Sequence, residues 1–154
     1  MKTNEEESIL LVPEDQEVFE LTIESNTIYP TEMLRADGGD NPNKLKFKGP
    51  SISGEQTKKF KLFRVHNQLN ADEANKSLAV YGAPALGQWR EAFKKKYPRP
   101  DGKGPIAFTG SEWLDPYRRR AYPFLLDGST AWYSGFRWFD HGINISWRIA
   151  FEIK

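Results

Sequence analysis

Few side chains in this sequence are suited to do chemistry. Two histidines occur, His66 and His141, far apart and without a metal-ligand partner at useful spacing. A functional site needs a positioned partner as well as a titratable group. Glu112 and Asp115, in Gly110-Ser-Glu-Trp-Leu-Asp-Pro116, form the best carboxylate pair, the type that flanks a glycosidic bond as acid and base. Capping at Ser111 or a turn before Pro116 accounts for the same two residues. Asp37, Asp40 and Asn41 offer oxygens to a calcium ion, but their loop lacks the length and the closing glutamate of an EF-hand. Its Asp-Gly-Gly-Asp-Asn-Pro composition is that of a turn. No phosphate-cradling glycine loop and no Gly-x-Ser-x-Gly elbow is present. Cysteine is absent, which removes disulfides, thiolate metal sites and thiol nucleophiles. No catalytic residue, metal or cofactor is therefore expected.

Basic clusters and aromatic residues are the other chemical signals. Lys58, Lys59 and Lys61 form one cluster, Lys94, Lys95 and Lys96 a second, and Arg118, Arg119 and Arg120 a third, lying between Tyr117 and Tyr122. Arginine with interleaved aromatics suits a single nucleic-acid strand. A net charge of +1 over the chain argues against that partner. Exposed Trp113, Tyr117, Trp132 and Trp138, with Asp115 and Arg118 bonding hydroxyls, would suit a glycan. Packing in the core or at an interface explains most aromatics in a chain of this size equally well.

Pro84-Ala-Leu-Gly-Gln-Trp89 resembles the Pro-x-Leu-Gly-x-Trp string of starch-binding modules. Trp113-Leu-Asp-Pro-Tyr-Arg118 is similar to their later Trp-x-x-Asp-Pro-x-Arg string, one residue short. The likeness covers about a dozen residues and the surrounding strands do not line up, so no binding residues carry over from it.

Charge is distributed unevenly. Residues 1–40 hold eleven carboxylates and two bases, whereas residues 41–154 hold ten carboxylates and twenty bases. An acidic arm over residues 1–16, including Glu5, Glu6 and Glu7, should seek the basic body, with Lys94, Lys95, Lys96, Arg119 and Arg120 as its expected counterparts. Between neighbouring copies such a contact runs head to tail and propagates. The partner expected first is thus protein, in a homo-oligomer; a glycan is the second choice. The start of the chain lacks the apolar run of a signal peptide, and no apolar stretch approaches the ~20 residues that span a bilayer. A cytoplasmic or particle-associated protein is expected.

These groups must be held by a β-rich body over residues 17–154. At this length, folding buries roughly 68–70% of the chain's surface, enough for a core without staples. Val18 to Ser25 alternates, as do Lys44 to Lys48, and Lys58 to Val65 is a further strand candidate. Asn70 with Glu73 predicts a capping box opening a helix over 71–81, closed by Gly82. Pro84 opens a second predicted helix whose stripe is Leu86, Trp89, Phe93 and Tyr97. Residues 130–139 read as a strand and Asp140-His141-Gly142 as a turn. Ile143, Ile145, Trp147, Ile149, Phe151 and Ile153 then predict one long final strand, with Arg148 on its polar face. The expected fold is mainly β: an antiparallel sandwich or jelly-roll-like domain with a short helical insert at about residues 70–97 and a C-terminal β-hairpin.

Overall fold

The computed structural model describes residues 10–24, 29–37 and 41–154; Glu5, Glu6, Glu7 and Asp40 lie outside these. The strands are β1 (Phe19–Ile23), β2 (Lys46–Gly49), β3 (Gln56–Arg64), β4 (Gly82–Pro84), β5 (Ile106–Ala107), β6 (Glu112–Leu114), β7 (Arg120–Asp127), β8 (Trp132–Trp138) and β9 (Arg148–Ile153). The α-helices are α1 (Met33–Ala36), α2 (Ala71–Ser77) and α3 (Trp89–Lys96). The mainly-β class is as expected. All nine strands join one hydrogen-bonded mixed sheet in the order β1-β3-β9-β5-β7-β6-β2, with β4 on β9 and β8 on β7.

Period-two alternation feeds two cores, one on each face of the central strands. Phe60 and Leu62 of β3, Ala150 of β9 and Ile106 of β5 join Trp89, Phe93 and Tyr97 of the α3 region. Phe63, Ile149, Phe151 and Ala107 point the other way, onto Ala71 and Ala74 of α2 and onto Ile143 and Trp147. A third cluster gathers Met33, Leu45, Trp113 and Ala121 at the β6–β2 end.

The capping box forms as the sequence predicts: Asn70 Oδ1 accepts from Glu73 N at 2.8 Å, and Glu73 Oε1 accepts from Asn70 N at 2.9 Å. The helix stops at Ser77, and a 3-10 turn, Ala79–Tyr81, completes the predicted span. Pro84 lies in a strand and not in a helix. Gly82 lets that strand pass close to β9; a Cβ there would sit 2.0 Å from Glu152 O. The second helix begins only at Trp89, though Trp89, Phe93 and Tyr97 of its predicted stripe are buried and Leu86 partly so. Pro30–Glu32 and α1 form a short helical stretch.

The C-terminal hairpin is not formed. β8 pairs with β7, from Ala121↔Trp138 to Asp127↔Trp132, while β9 runs antiparallel to β3 and β4 and parallel to β5. The long alternation breaks at Asn144, whose Oδ1 accepts from Ser146 N at 2.9 Å and whose carbonyl accepts from Trp147 N. This side-chain turn takes Ile145 out to 63% exposure. β9 is central, so both its faces are covered, and Arg148 is fully buried. Its guanidinium donates to both Asp101 carboxylate oxygens, at 2.6 and 2.9 Å, and to Gly104 O. Burial alone pushes the Asp101 carboxyl up, but the Arg148 hydrogen bonds and the Lys103 amide outweigh it, and the group titrates below the ordinary carboxylate range.

Candidate functional site

The carboxylates Glu112 and Asp115 do not converge. Asp115 folds into its own turn, where Oδ1 accepts from Tyr117 N at 2.9 Å and Arg119 N at 2.7 Å, and Oδ2 from Arg119 Nε at 2.7 Å. Burial opposes its ionisation, yet these donors prevail and hold it below the usual range. Glu112 turns instead toward Arg120, which donates to Glu112 Oε2 at 3.0 Å and to the Asp72 carboxylate. Asp72, Glu112, Lys48, Asn75 and Thr109, with Pro50, Pro84 and Phe139, line a cleft of about 490 Å³. Thr109 Oγ1 donates to Asn75 Oδ1 at 2.5 Å, and Asn75 Nδ2 to Thr109 O at 3.2 Å. Glu112 and Asp72 are thus bonded to one guanidinium, and Asp115 to another, that of Arg119.

Of the three oxygen donors considered for calcium, Asp37 and Asn41 are described and each is engaged elsewhere. Asn41 closes a turn on Leu45, and Asp37 turns inward to Arg90 Nη2 at 2.7 Å. No cluster of three or more possible ligands among histidine, cysteine, aspartate and glutamate occurs among the described residues. His66 and His141 are both exposed.

The proposed aromatic platform is dispersed. Trp113 keeps 1% exposure and packs on Phe47 and Phe136. Trp132 is buried, with Nε1 donating to Tyr97 O at 2.7 Å. Trp138 is half-buried beneath the Arg119 guanidinium, 4.4 Å from its ring centre. Tyr117 and Arg118 are exposed. Trp89 and Trp113, from the two strings that resemble starch-binding modules, both lie in the core. These rings serve packing because they fill space between strands that only the folded sheet brings together.

The expected interaction residues are largely paired within the molecule. Lys94 Nζ donates to Ser134 Oγ at 2.9 Å and lies 3.3 Å from Glu91. Lys95 is 3.8 Å from Glu24, and Lys96 donates to Glu20 O at 2.6 Å. The described part of the acidic arm docks on its own body: Glu14 meets Lys103 at 2.6 Å, Asp15 meets Arg64 at 2.8 Å, and Gln16 N donates to Leu62 O.

Sequence reasoning passed over a different surface. Strands β1, β2, β4 and β8 each have a strand neighbour on one side only. Basic side chains of α3 meet two of them, Lys96 at Glu20 O of β1 and Arg90 at Gly135 O of β8. No side chain among the described residues donates to a carbonyl of β2. Beside β2 lies a mostly apolar groove of about 430 Å³, formed by Phe47, Leu114 and Pro116 and rimmed by Lys44, Lys46 and Lys48. Lys44 and Lys46 form no ion pair among the described residues, and Lys48 stands 3.9 Å from Glu112. The alternation Lys-Leu-Lys-Phe-Lys was the available signal, but an edge cannot be told from a central strand by alternation alone.

No known family model matches this chain, and neither a curated protein nor a solved structure matches it. No helix among the described residues is long and apolar enough to cross a membrane.

Proposed function

We propose that this chain is a non-enzymatic interaction subunit that associates with itself, the β2 edge of one copy taking the acidic amino-terminal segment of the next. The observation that carries this reading is the lysine-rimmed β2 strand, which has β6 as its only strand neighbour among the described residues, beside an apolar groove. Lysines on an edge strand also deter indiscriminate pairing, so a partner must bring negative charge to overcome them. The chain itself contains such a segment, Glu5-Glu-Glu-Ser-Ile-Leu-Leu11. Val12 is buried and anchors the arm, whereas Leu11 is 82% and Leu10 47% exposed. Glutamates would meet the lysines, and the aliphatic residues would meet Phe47, Leu114 and Pro116. An extended segment adding to a sheet edge gains main-chain hydrogen bonds as well as side-chain fit. Because donor and acceptor surfaces differ, the contact is head to tail, closing into a ring or growing as a filament.

Light scattering tests this with two variants, one lacking residues 1–9 and one carrying Lys44→Glu, Lys46→Glu and Lys48→Glu. The full chain should gain mass with concentration at low salt and lose it at high salt. Each variant alone should stay monomeric, and the two mixed should form a one-to-one pair through the surviving groove and the surviving arm. A full chain that remains monomeric at low salt throughout, or a mixture that fails to pair, would overturn the proposal.

A further inference from the structure

The β6–β7 hairpin carries a residue that its own backbone does not favour. Its loop is Pro116-Tyr117-Arg118, closed by Arg118 N donating to Asp115 O at 2.9 Å and Asp115 N donating to Arg119 O at 3.1 Å. Asp115 and Pro116 suit the opening of such a turn, Asp115 by accepting from the Tyr117 and Arg119 amides and Pro116 by its fixed φ. The third loop position is left-handed, with φ 68° at Arg118. In three-residue hairpin loops this is the place of glycine, because a Cβ there crowds the backbone. Arginine therefore works against the turn that holds it. Conflicts of this kind between residue and backbone gather where a side chain serves binding.

The loop adjoins the β2 groove. Its Asp115 and Pro116 line that groove with Lys44 and Lys46, and the Lys46↔Leu114 register puts the loop at the Lys44 end. Among the described residues, three other than glycine have positive φ, and two of them, Lys44 and Arg118, are cations at this end of the groove. The neighbouring arginines are committed within the molecule: Arg119 pairs with Asp115 and lies over Trp138, and Arg120 bonds Asp72 and Glu112. Arg118 is exposed, and its side chain forms no hydrogen bond or ion pair among the described residues. Tyr117 beside it is 83% exposed. Arginine and tyrosine are residue types that often carry the energy of an interface. A guanidinium holds a carboxylate through two parallel hydrogen bonds, which the ammonium groups of Lys44 and Lys46 do not. Resting on the self-association reading, we infer that Arg118 is the residue by which the groove selects the acidic arm. Its guanidinium takes a carboxylate of the Glu5-Glu6-Glu7 run of the neighbouring copy, and Tyr117 covers the arm at that point. The groove's lysines attract the arm, and Arg118 fixes where it sits.

Directional pairing separates this role from a general effect of charge. The chain lacking residues 1–9 supplies only the groove, and the chain with Lys44→Glu, Lys46→Glu and Lys48→Glu supplies only the arm. Arg118→Gly in the groove-bearing copy should weaken their pairing about threefold to tenfold by isothermal titration calorimetry. The same substitution in the arm-bearing copy should leave the pairing unchanged. Tyr117→Ala should follow the same one-sided pattern, and Arg118→Lys, which keeps the charge without the fork, should remain weakened. Glycine suits the left-handed position, so Arg118→Gly should unfold at a urea concentration no lower than its parent, which separates lost pairing from lost folding. Pairing unaffected in both placements, or weakened equally in both, would overturn the role of Arg118 and leave self-association standing. Failure of the unsubstituted arm and groove chains to pair would overturn both.

Discussion

Strands β9 and β2 have similar local patterns and opposite fates. Arg148-Ile-Ala-Phe-Glu-Ile153 and Leu45-Lys-Phe-Lys48 both place apolar residues at alternate positions, and each carries basic side chains, Arg148 in the first and Lys46 and Lys48 in the second. β9 lies between β3 on one side and β4 with β5 on the other, and its Arg148 is enclosed and must be paired. β2 has β6 on one side only, and its lysines remain in water. Identical alternation thus gives a structural cation in one strand and an available one in the other. Neighbours decide which, because the cost of an unpaired charge depends on solvent access.

The largest effects should come from attacking β9. Arg148→Met leaves the Asp101 carboxylate without its bidentate partner, and loss of one member of a buried pair costs about 3–5 kcal/mol. Urea denaturation should show that loss; a change near zero would mean that the pair is far wetter than its burial implies. Phe151→Ala should cost a similar amount, about 3–5 kcal/mol, whereas Phe47→Ala beside the groove should cost less because the ring is only half-buried.

Acid should separate the strands next. The folded-state Asp101 carboxyl titrates below its unfolded value, so its stabilisation is fully present above the ordinary carboxylate range. It disappears as pH falls through the lowered folded value. Stability measured down this range should therefore fall more steeply in the parent than in Arg148→Met, and parallel curves would contradict the assignment. Between these extremes, Asn70→Ala removes the capping box on α2 and should cost about 1 kcal/mol. The smallest change in stability is expected at β2. Lys44→Glu and Lys46→Glu should stay within about 0.5 kcal/mol of the parent while abolishing association, which denaturation and light scattering together would reveal.

Several features were legible from local chemistry alone. Asn70 and Glu73 form their capping box because both partners lie within one turn of chain. The strand at Phe19–Ile23 follows from alternation, the strand expected over Lys58 to Val65 forms as Gln56–Arg64, and the Trp89-Phe93-Tyr97 stripe follows from helical spacing. The end of the chain was misread because Asn144 closes a turn inside an otherwise unbroken apolar alternation. The candidate site was not legible. The β2 groove joins residues 44–48 to 114–116.

By itself, then, the sequence determined what depends on near neighbours: the β-rich class, the capped helix, the want of thiol chemistry and the opposed charges of the two ends. Tertiary structure alone decided which strand was enclosed, which cations were already matched and which tryptophans were left outside. The physical reason is that burial and pairing depend on contacts between residues distant in the chain. Alternation states that a strand has two faces; only the assembled sheet determines what each face and each edge will meet.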